Sequence, residues 1–126
     1  VTGVQTCALP ISIRNVQTIC IDEFINTLGD KAKPNLIKID VEGAELSVLK
    51  GMKHFIESNT PTLIVEFVCK EENQNQFEQI EQLLSKNNLK AHCIDDAGDL
   101  NLLPTNIYAW MQEHKLDSEN IVFVKN

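Results

Sequence analysis

Residues 36–51, L-I-K-I-D-V-E-G-A-E-L-S-V-L-K-G, give the clearest indication of the fold class. Their first part, Leu36–Val41, is a short apolar run of the kind that forms a buried strand. A helical pattern follows at once, and its apolar stripe consists of Val48, Leu49, Met52, Phe55 and Ile56. The stretch is therefore predicted to be a strand followed directly by a helix, which is one unit of an α/β sheet.

The same alternation continues on both sides of this unit. Upstream, Val16–Ile21 is predicted to be a strand, and Asp22 is predicted to cap a helix that Gly29 stops. Downstream, the predicted elements are the strand Thr62–Val68, a helix with Phe77, Ile80, Leu83 and Leu84 inward, the strand Leu89–Ile94, a turn at 95–98, a short helix from Pro104 to His114 and the strand Ile121–Val124. Apolar strands that alternate with helices predict a doubly wound α/β layer, a parallel sheet with helices packed on its faces.

Length, composition and charge narrow the class of protein. The chain has 126 residues, of which 43% are hydrophobic, and a formal net charge of −7. One domain with its own core is expected at this length. We expect no nucleic-acid partner, because phosphate affinity comes from cations and this acidic chain has no Lys/Arg cluster. We also expect no membrane span, because no apolar run approaches the roughly 20 residues of a membrane helix.

The four cysteines, Cys7, Cys20, Cys69 and Cys93, form no Cys-x-x-Cys pair. We interpret them as small hydrophobic side chains in a reducing compartment, which favours a cytoplasmic localisation.

The first eleven residues, V-T-G-V-Q-T-C-A-L-P-I, differ in character from the rest. They have neither helical nor strand periodicity, and they resemble the translation of a common sequencing-library adapter. We therefore expect residues 1–11 to be a non-native segment and residues 12–126 to be the native part. The alternative is a natural, irregular N-terminal arm.

Four charged residues mark a candidate site. In open α/β sheets, ligands bind beyond the carboxyl ends of the strands, where Asp40, Glu42 and Gly43 follow the strand L-I-K-I. Lys38 is expected on the same face as Asp40, because side chains alternate along a strand. Glu66, inside the adjacent predicted strand, is a plausible partner for Lys38. The cluster is interpreted either as a catalytic base or cation site or as a structural ion-pair network.

Other signals for chemistry are weak. His54, His92 and His114 lack the spacing of metal ligands, and we interpret them as structural. The chain contains no Gly-x-Gly, so a nucleotide-cradling loop is not expected within it.

The run of residues 36–51 resembles the motif of the FkbM-type methyltransferases. Residues 16–25 are similar to a short strand of that family in which an Asp opens the next helix. Residues 61–67 match its next strand, including the glutamate, and residues 120–124 resemble its closing strand. The resemblance extends from Ser12 to Asn126.

The resemblance implies an S-adenosyl-L-methionine-dependent O-methyltransferase with a Rossmann-like, class I fold. Leu36–Val41 and Thr62–Val68 would be its fourth and fifth strands, and the last two strands would be antiparallel to each other. The family's glycine-rich loop and the acidic residue of its second strand bind the cofactor, and both would precede Ser12. The chain is therefore expected to be a truncated, C-terminal part of the domain that has no cofactor-binding residues and is inactive by itself.

The implied acceptor is a small molecule or glycan, with the methyl group going to a hydroxyl of a sugar, polysaccharide or polyketide-like product. An aliphatic hydroxyl needs help to lose its proton. Asp40 is the first candidate for this catalytic role and Glu42 the second, supported by Lys38 and Glu66. The involvement of a divalent metal and the oligomeric state stay open.

Two other functions remain as alternatives at this point. One is a cation-dependent hydrolase that uses Asp40, Glu42 and Glu66. The other is a non-catalytic α/β interaction module, which predicts a complete sheet with protected edges.

Overall fold

The structure is a computed structural model that describes residues 17–29 and 33–125. The elements in chain order are α1 (Ile21–Leu28), β1 (Leu36–Ile39), α2 (Glu45–Lys50), α3 (Lys53–Asn59), β2 (Thr62–Val68), a 3₁₀ turn (Glu71–Asn73), α4 (Gln74–Ser85), β3 (Leu89–Ile94), β4 (Leu100–Leu102), α5 (Ile107–Glu113) and β5 (Ser118–Lys125). Residues 1–11, including Cys7, lie outside the described residues, so the expectation of a non-native segment stays a prediction.

The described strands form one mixed sheet in the order β1-β2-β5-β3-β4. β1 and β2 are parallel, whereas β5 lies between β2 and β3 and is antiparallel to both. β2 and β3 therefore run in the same direction. The expected antiparallel pairing of the last two predicted strands is confirmed, and the fold is mixed α/β.

A short hairpin strand extends the sheet beyond the prediction. β4 pairs with β3 in an antiparallel register, after the predicted turn at residues 95–98. The Asp95 carboxylate stabilises this turn by accepting hydrogen bonds from the backbone N–H groups of Ala97 and Asp99, at 3.0 and 2.9 Å. β4 has only three residues, too few to show the alternation that predicts a strand.

The prediction that Val16–Ile21 is a strand is wrong for the residues that the structure describes. Residues 17–20 belong to no strand, and Ile21 already begins α1. The backbone N–H of Asp22 donates to the carbonyl of Gly51 at 2.9 Å, and the thiol of Cys20 donates to the same oxygen at 2.8 Å. Contacts with the α2–α3 junction, rather than a strand ladder, hold this segment.

The helix predicted after β1 is in fact two helices. α2 ends at Lys50, α3 begins at Lys53, and the Gly51 carbonyl between them bonds to Asp22 and Cys20. The Asp22 carboxylate accepts from the backbone N–H groups of His54 and Phe55, at 3.0 and 2.8 Å. Asp22 therefore caps α3, and the prediction that it caps its own helix is wrong.

The hydrophobic core lies on one face of the sheet. Alternate residues of the central strands, such as Leu63, Val65 and Phe123, are at most 1% exposed, and α2, α3, α4 and α5 each bury side chains against them. Phe67 and Phe77 meet edge to face, with ring centroids 4.6 Å apart. Full burial of side chains of this size contributes about 1.5–3 kcal/mol each. α2, α3, α4 and α5 therefore all pack on the same face of the sheet.

The second face of the sheet is more open. The strand register places Leu36, Ile94, Leu100 and Leu102 on this face, and they are 45–59% exposed. Lys38 and Glu66 share the face with them. The expectation of helices on both faces is therefore not met within the described residues. In this part of the chain, no helix has the length and hydrophobicity of a membrane span.

Candidate active site

The loop between β1 and α2 forms the centre of the candidate site. β1 ends at Ile39, two residues earlier than predicted, so Asp40 already belongs to this loop. Glu42 and Gly43 follow with φ angles of 50° and 105°, both in the left-handed region. This pair of residues turns the chain sharply at the carboxyl end of the parallel strands β1 and β2.

Three of the predicted site residues lie together at this turn. The ammonium Nζ of Lys38 donates to Oδ2 of Asp40 at 2.9 Å. Glu66 lies on the same face of the neighbouring strand, two residues beyond Ile64, the strand partner of Lys38, and its carboxyl group interacts with that of Asp40. The side chains of Lys38 and Asp40 are 53% and 43% exposed. The cluster is therefore accessible to a ligand from solvent.

The contacts in this cluster shift the pKa values of the two carboxyl groups in opposite directions. The hydrogen bond from Lys38, followed by the hydrogen bond with Glu66, lowers the pKa of Asp40. The hydrogen bond and the negative charge of Asp40 raise the pKa of Glu66. Asp40 therefore stays an anion to lower pH than usual, whereas Glu66 binds a proton more readily than usual.

Glu42 acts on the cluster of Lys38, Asp40 and Glu66 through its negative charge. It is exposed on the loop, and its negative charge adds to the rise in the pKa of Glu66. The structure therefore brings Lys38, Asp40 and Glu66 into direct contact and leaves Glu42 at the margin of the cluster.

Sequence reasoning missed three polar residues around the site. Glu45 is 8% exposed, and its Oε1 accepts from the backbone N–H of Gly43 at 2.9 Å. Gln76 on α4 donates from Nε2 to the Gly43 carbonyl at 3.2 Å and to Oε2 of Glu45 at 3.3 Å. Glu45 shows only as an acid in the first helical turn, and no sequence signal connects Gln76 to the loop.

Asn120 is the third of these residues. It lies opposite Glu66 in the β2–β5 register, and its side-chain oxygen is buried without a hydrogen-bond partner among the described residues. Its place in the closing-strand motif, at the start of N-I-V-F-V, is the signal that could have found it.

A divalent metal and S-adenosyl-L-methionine each require a characteristic set of protein groups. No group of three or more His, Cys, Asp or Glu side chains within residues 17–29 and 33–125 is arranged to hold a metal ion. The hydrolase alternative therefore gains no support from Asp40, Glu42 and Glu66. For S-adenosyl-L-methionine, the chain has no glycine-rich cradle, so no residue described here is assigned to binding the methyl donor.

Comparison with known families decides the class of protein. The Methyltransferase FkbM domain matches residues 8–91, two thirds of the chain, including β1, the loop between β1 and α2, and β2. The chain belongs to the FkbM methyltransferase family. We therefore read the cluster of Lys38, Asp40 and Glu66 as part of a methyltransferase domain.

A curated relative supports this assignment over a shorter range. The chain is 49% identical over 43 residues to the hexuronic acid methyltransferase AglP of Haloferax volcanii. The matched segment is 34% of this chain and 18% of the length of that relative. No solved structure matches the chain.

Proposed function

We propose that this FkbM chain is part of an S-adenosyl-L-methionine-dependent O-methyltransferase that acts on a hydroxyl of a sugar, polysaccharide or polyketide-like small molecule. The observation that carries the proposal is the solvent-accessible Lys38–Asp40–Glu66 cluster at the carboxyl end of β1 and β2. The name of AglP, which states a hexuronic acid as its substrate, supports a sugar-type acceptor.

Asp40 is the proposed catalytic base. When bound, the cofactor supplies a methyl group on a positively charged sulfur. An acceptor hydroxyl becomes strongly acidic as it forms its new bond to carbon, so a carboxylate of low pKa is basic enough to take the proton. Lys38 favours this role, because its hydrogen bond keeps Asp40 anionic.

Lys38 and Glu66 are proposed to orient Asp40. Both side chains interact with the carboxylate, and its exposed surface remains available to the hydroxyl of the acceptor. Positioning of this kind supplies much of the rate in a direct group transfer. Glu42 is proposed as an auxiliary anion at the margin.

We further propose that the chain is the C-terminal part of its domain. β1 is an edge strand of the described sheet, and the second face carries exposed Leu36 and Leu102. Preceding strands and helices would cover both features and would contain the site for the methyl donor.

The described cysteines are free, which supports a reducing, cytoplasmic setting.

The direct test is methyl transfer by the complete enzyme that contains this chain. The enzyme is incubated with methyl-labelled S-adenosyl-L-methionine and either free hexuronic acids or neutral hexoses, and the products are analysed by mass spectrometry. We expect label in an O-methyl ether. Transfer of the label to nitrogen or carbon, or no transfer to any hydroxyl compound, would contradict the proposal.

A further inference from the structure

The loop that carries Asp40 adopts an unusual conformation. Glu42 and Gly43 are consecutive residues with positive φ, and for Glu42 this conformation is strained. A Cβ atom on Gly43 would contact nothing within 4 Å, so glycine is required there for its backbone conformation and not for space. Such a loop keeps one conformation only where surrounding contacts hold it.

Two side chains from separate helices supply those contacts. Both polar backbone groups of Gly43 are bonded, its N–H to Glu45 of α2 and its carbonyl to Gln76 of α4. Gln76 also donates to the other carboxylate oxygen of Glu45. Glu45 is buried, and a buried carboxylate needs such donors. Gly43, Glu45 and Gln76 therefore form a closed hydrogen-bonded triangle, which we call the loop clamp.

The loop clamp acts close to the proposed base. Asp40 begins the loop directly after Ile39, which is fixed by its pairing with Val65 of β2. Gly43, three residues later, is fixed by the clamp. The segment with Asp40 and Glu42 is thus held at both ends, once by the sheet and once by α4.

We propose that Gln76 is a positioning residue that, through the loop clamp, fixes Asp40 in its reactive orientation towards the acceptor hydroxyl. The inference rests on the proposed function for the role of Asp40, whereas the clamp itself can be tested without activity. Because both contacts of Gln76 are donated by Nε2, the chemistry requires a donor of similar reach at this position.

The test compares three variants. Gln76→Met keeps the length of the side chain and removes the donor, whereas Gln76→Lys keeps a donor. Gln79→Met is the matched control, because Gln79 is exposed on the same helix and donates only to Asn75 within it. Amide hydrogen exchange of Gly43 is measured in this chain, and kcat and KM are measured in the complete enzyme.

We expect Gln76→Met to accelerate the exchange of the Gly43 amide and to lower kcat roughly 10- to 100-fold, since a displacement of 1 Å can cost about 10²-fold. The KM for the methyl donor should not change. Gln76→Lys should restore both exchange protection and kcat, and Gln79→Met should affect neither.

Each other outcome is informative. Unchanged Gly43 exchange in Gln76→Met would overturn the clamp. Faster exchange with unchanged kcat, or a kcat loss that Gln76→Lys does not rescue, would overturn the positioning role. If the wild-type complete enzyme transfers no methyl group, the proposed function fails, and the exchange measurement still decides whether the clamp exists.

Discussion

At the scale of single residues, the candidate site depends on one lysine placed inside a strand. Lys38 reaches the Asp40 carboxylate at 2.9 Å, and this contact is the largest cause of the lowered pKa of Asp40. Glu66 has the opposite shift, because it lies next to an anion that already has a cationic partner. One cation thus lowers the pKa of one of two neighbouring carboxyl groups, and the resulting anion raises the pKa of the other.

Replacing Lys38 with Met tests this assignment. We expect the pKa of Asp40 to rise, because its principal hydrogen bond and the nearby positive charge are lost. The measurement is a carboxyl ¹³C NMR titration, with Lys53→Met as the control, because Lys53 pairs with Glu57 on α3. An Asp40 pKa that does not respond to Lys38→Met would contradict the account.

The same shifts fix the sign of the pH dependence of stability. The folded-state pKa of Asp40 is lowered, so its contribution to stability is present above the unfolded pKa and is lost as pH falls through the folded pKa. Glu66 has a raised pKa, so its contribution is present below the unfolded pKa and is lost as pH rises through the folded pKa. In Lys38→Met, the stability that Asp40 contributes should therefore be lost at a higher pH than in the wild type.

The sequence predicts part of this site for a clear physical reason. Alternation along a strand places Lys38 beside Asp40, and the parallel neighbour brings Glu66 to the same edge. Gln76 could not be predicted, because its contact with Gly43 joins residues 33 positions apart through the packing of α4. Local patterns contain no information about that packing.

At the scale of elements, the accuracy of the prediction depends on whether local sequence or long-range contacts set the boundaries of an element. β2 and β3 have the predicted bounds, because strong breakers precede them, Pro61 before β2 and Asn88 before β3. The break between α2 and α3 was not predicted. It involves the Gly51 carbonyl, which bonds to Cys20, 31 residues earlier in the chain, so no continuous stripe could reveal it.

The capping of α3 by Asp22 leads to a prediction about stability. Asp22→Ala removes the acceptor of two N-terminal N–H groups of α3, those of His54 and Phe55. We expect the free energy of unfolding to fall by about 1–2 kcal/mol, as for other lost helix caps, in urea denaturation of this chain. Glu23→Ala, an exposed change in the same turn of α1, should have little effect. Equal effects of the two changes would contradict the capping role.

At the scale of the whole molecule, the sheet has one covered face and one more open face. β1 is at the edge of the described sheet, with Leu36 59% exposed on the open face. An unpaired strand edge beside apolar side chains favours association. The interaction-module alternative predicts protected edges, and the exposed β1 edge in the described part of the chain does not favour it.

We therefore expect this chain to self-associate as its concentration rises, and Leu36→Lys to reduce this association. Sedimentation velocity measures the effect. Leu28→Lys is the matched control, because Leu28 is 47% exposed on α1, away from the sheet. A chain that stays monomeric at all concentrations, or equal effects of the two changes, would count against an uncovered sheet edge.

Asp40 is proposed to perform the proton chemistry of a methyl transfer, and the decisive variant is Asp40→Asn in the complete enzyme. The control is Asp96→Asn, an equivalent change at an exposed position of the β3–β4 turn, and both variants are checked by thermal unfolding. We expect Asp40→Asn to lower kcat by about 10²–10⁴-fold with folding retained, and Asp96→Asn to leave kcat unchanged. A folded Asp40→Asn enzyme with the turnover of the wild type would contradict it.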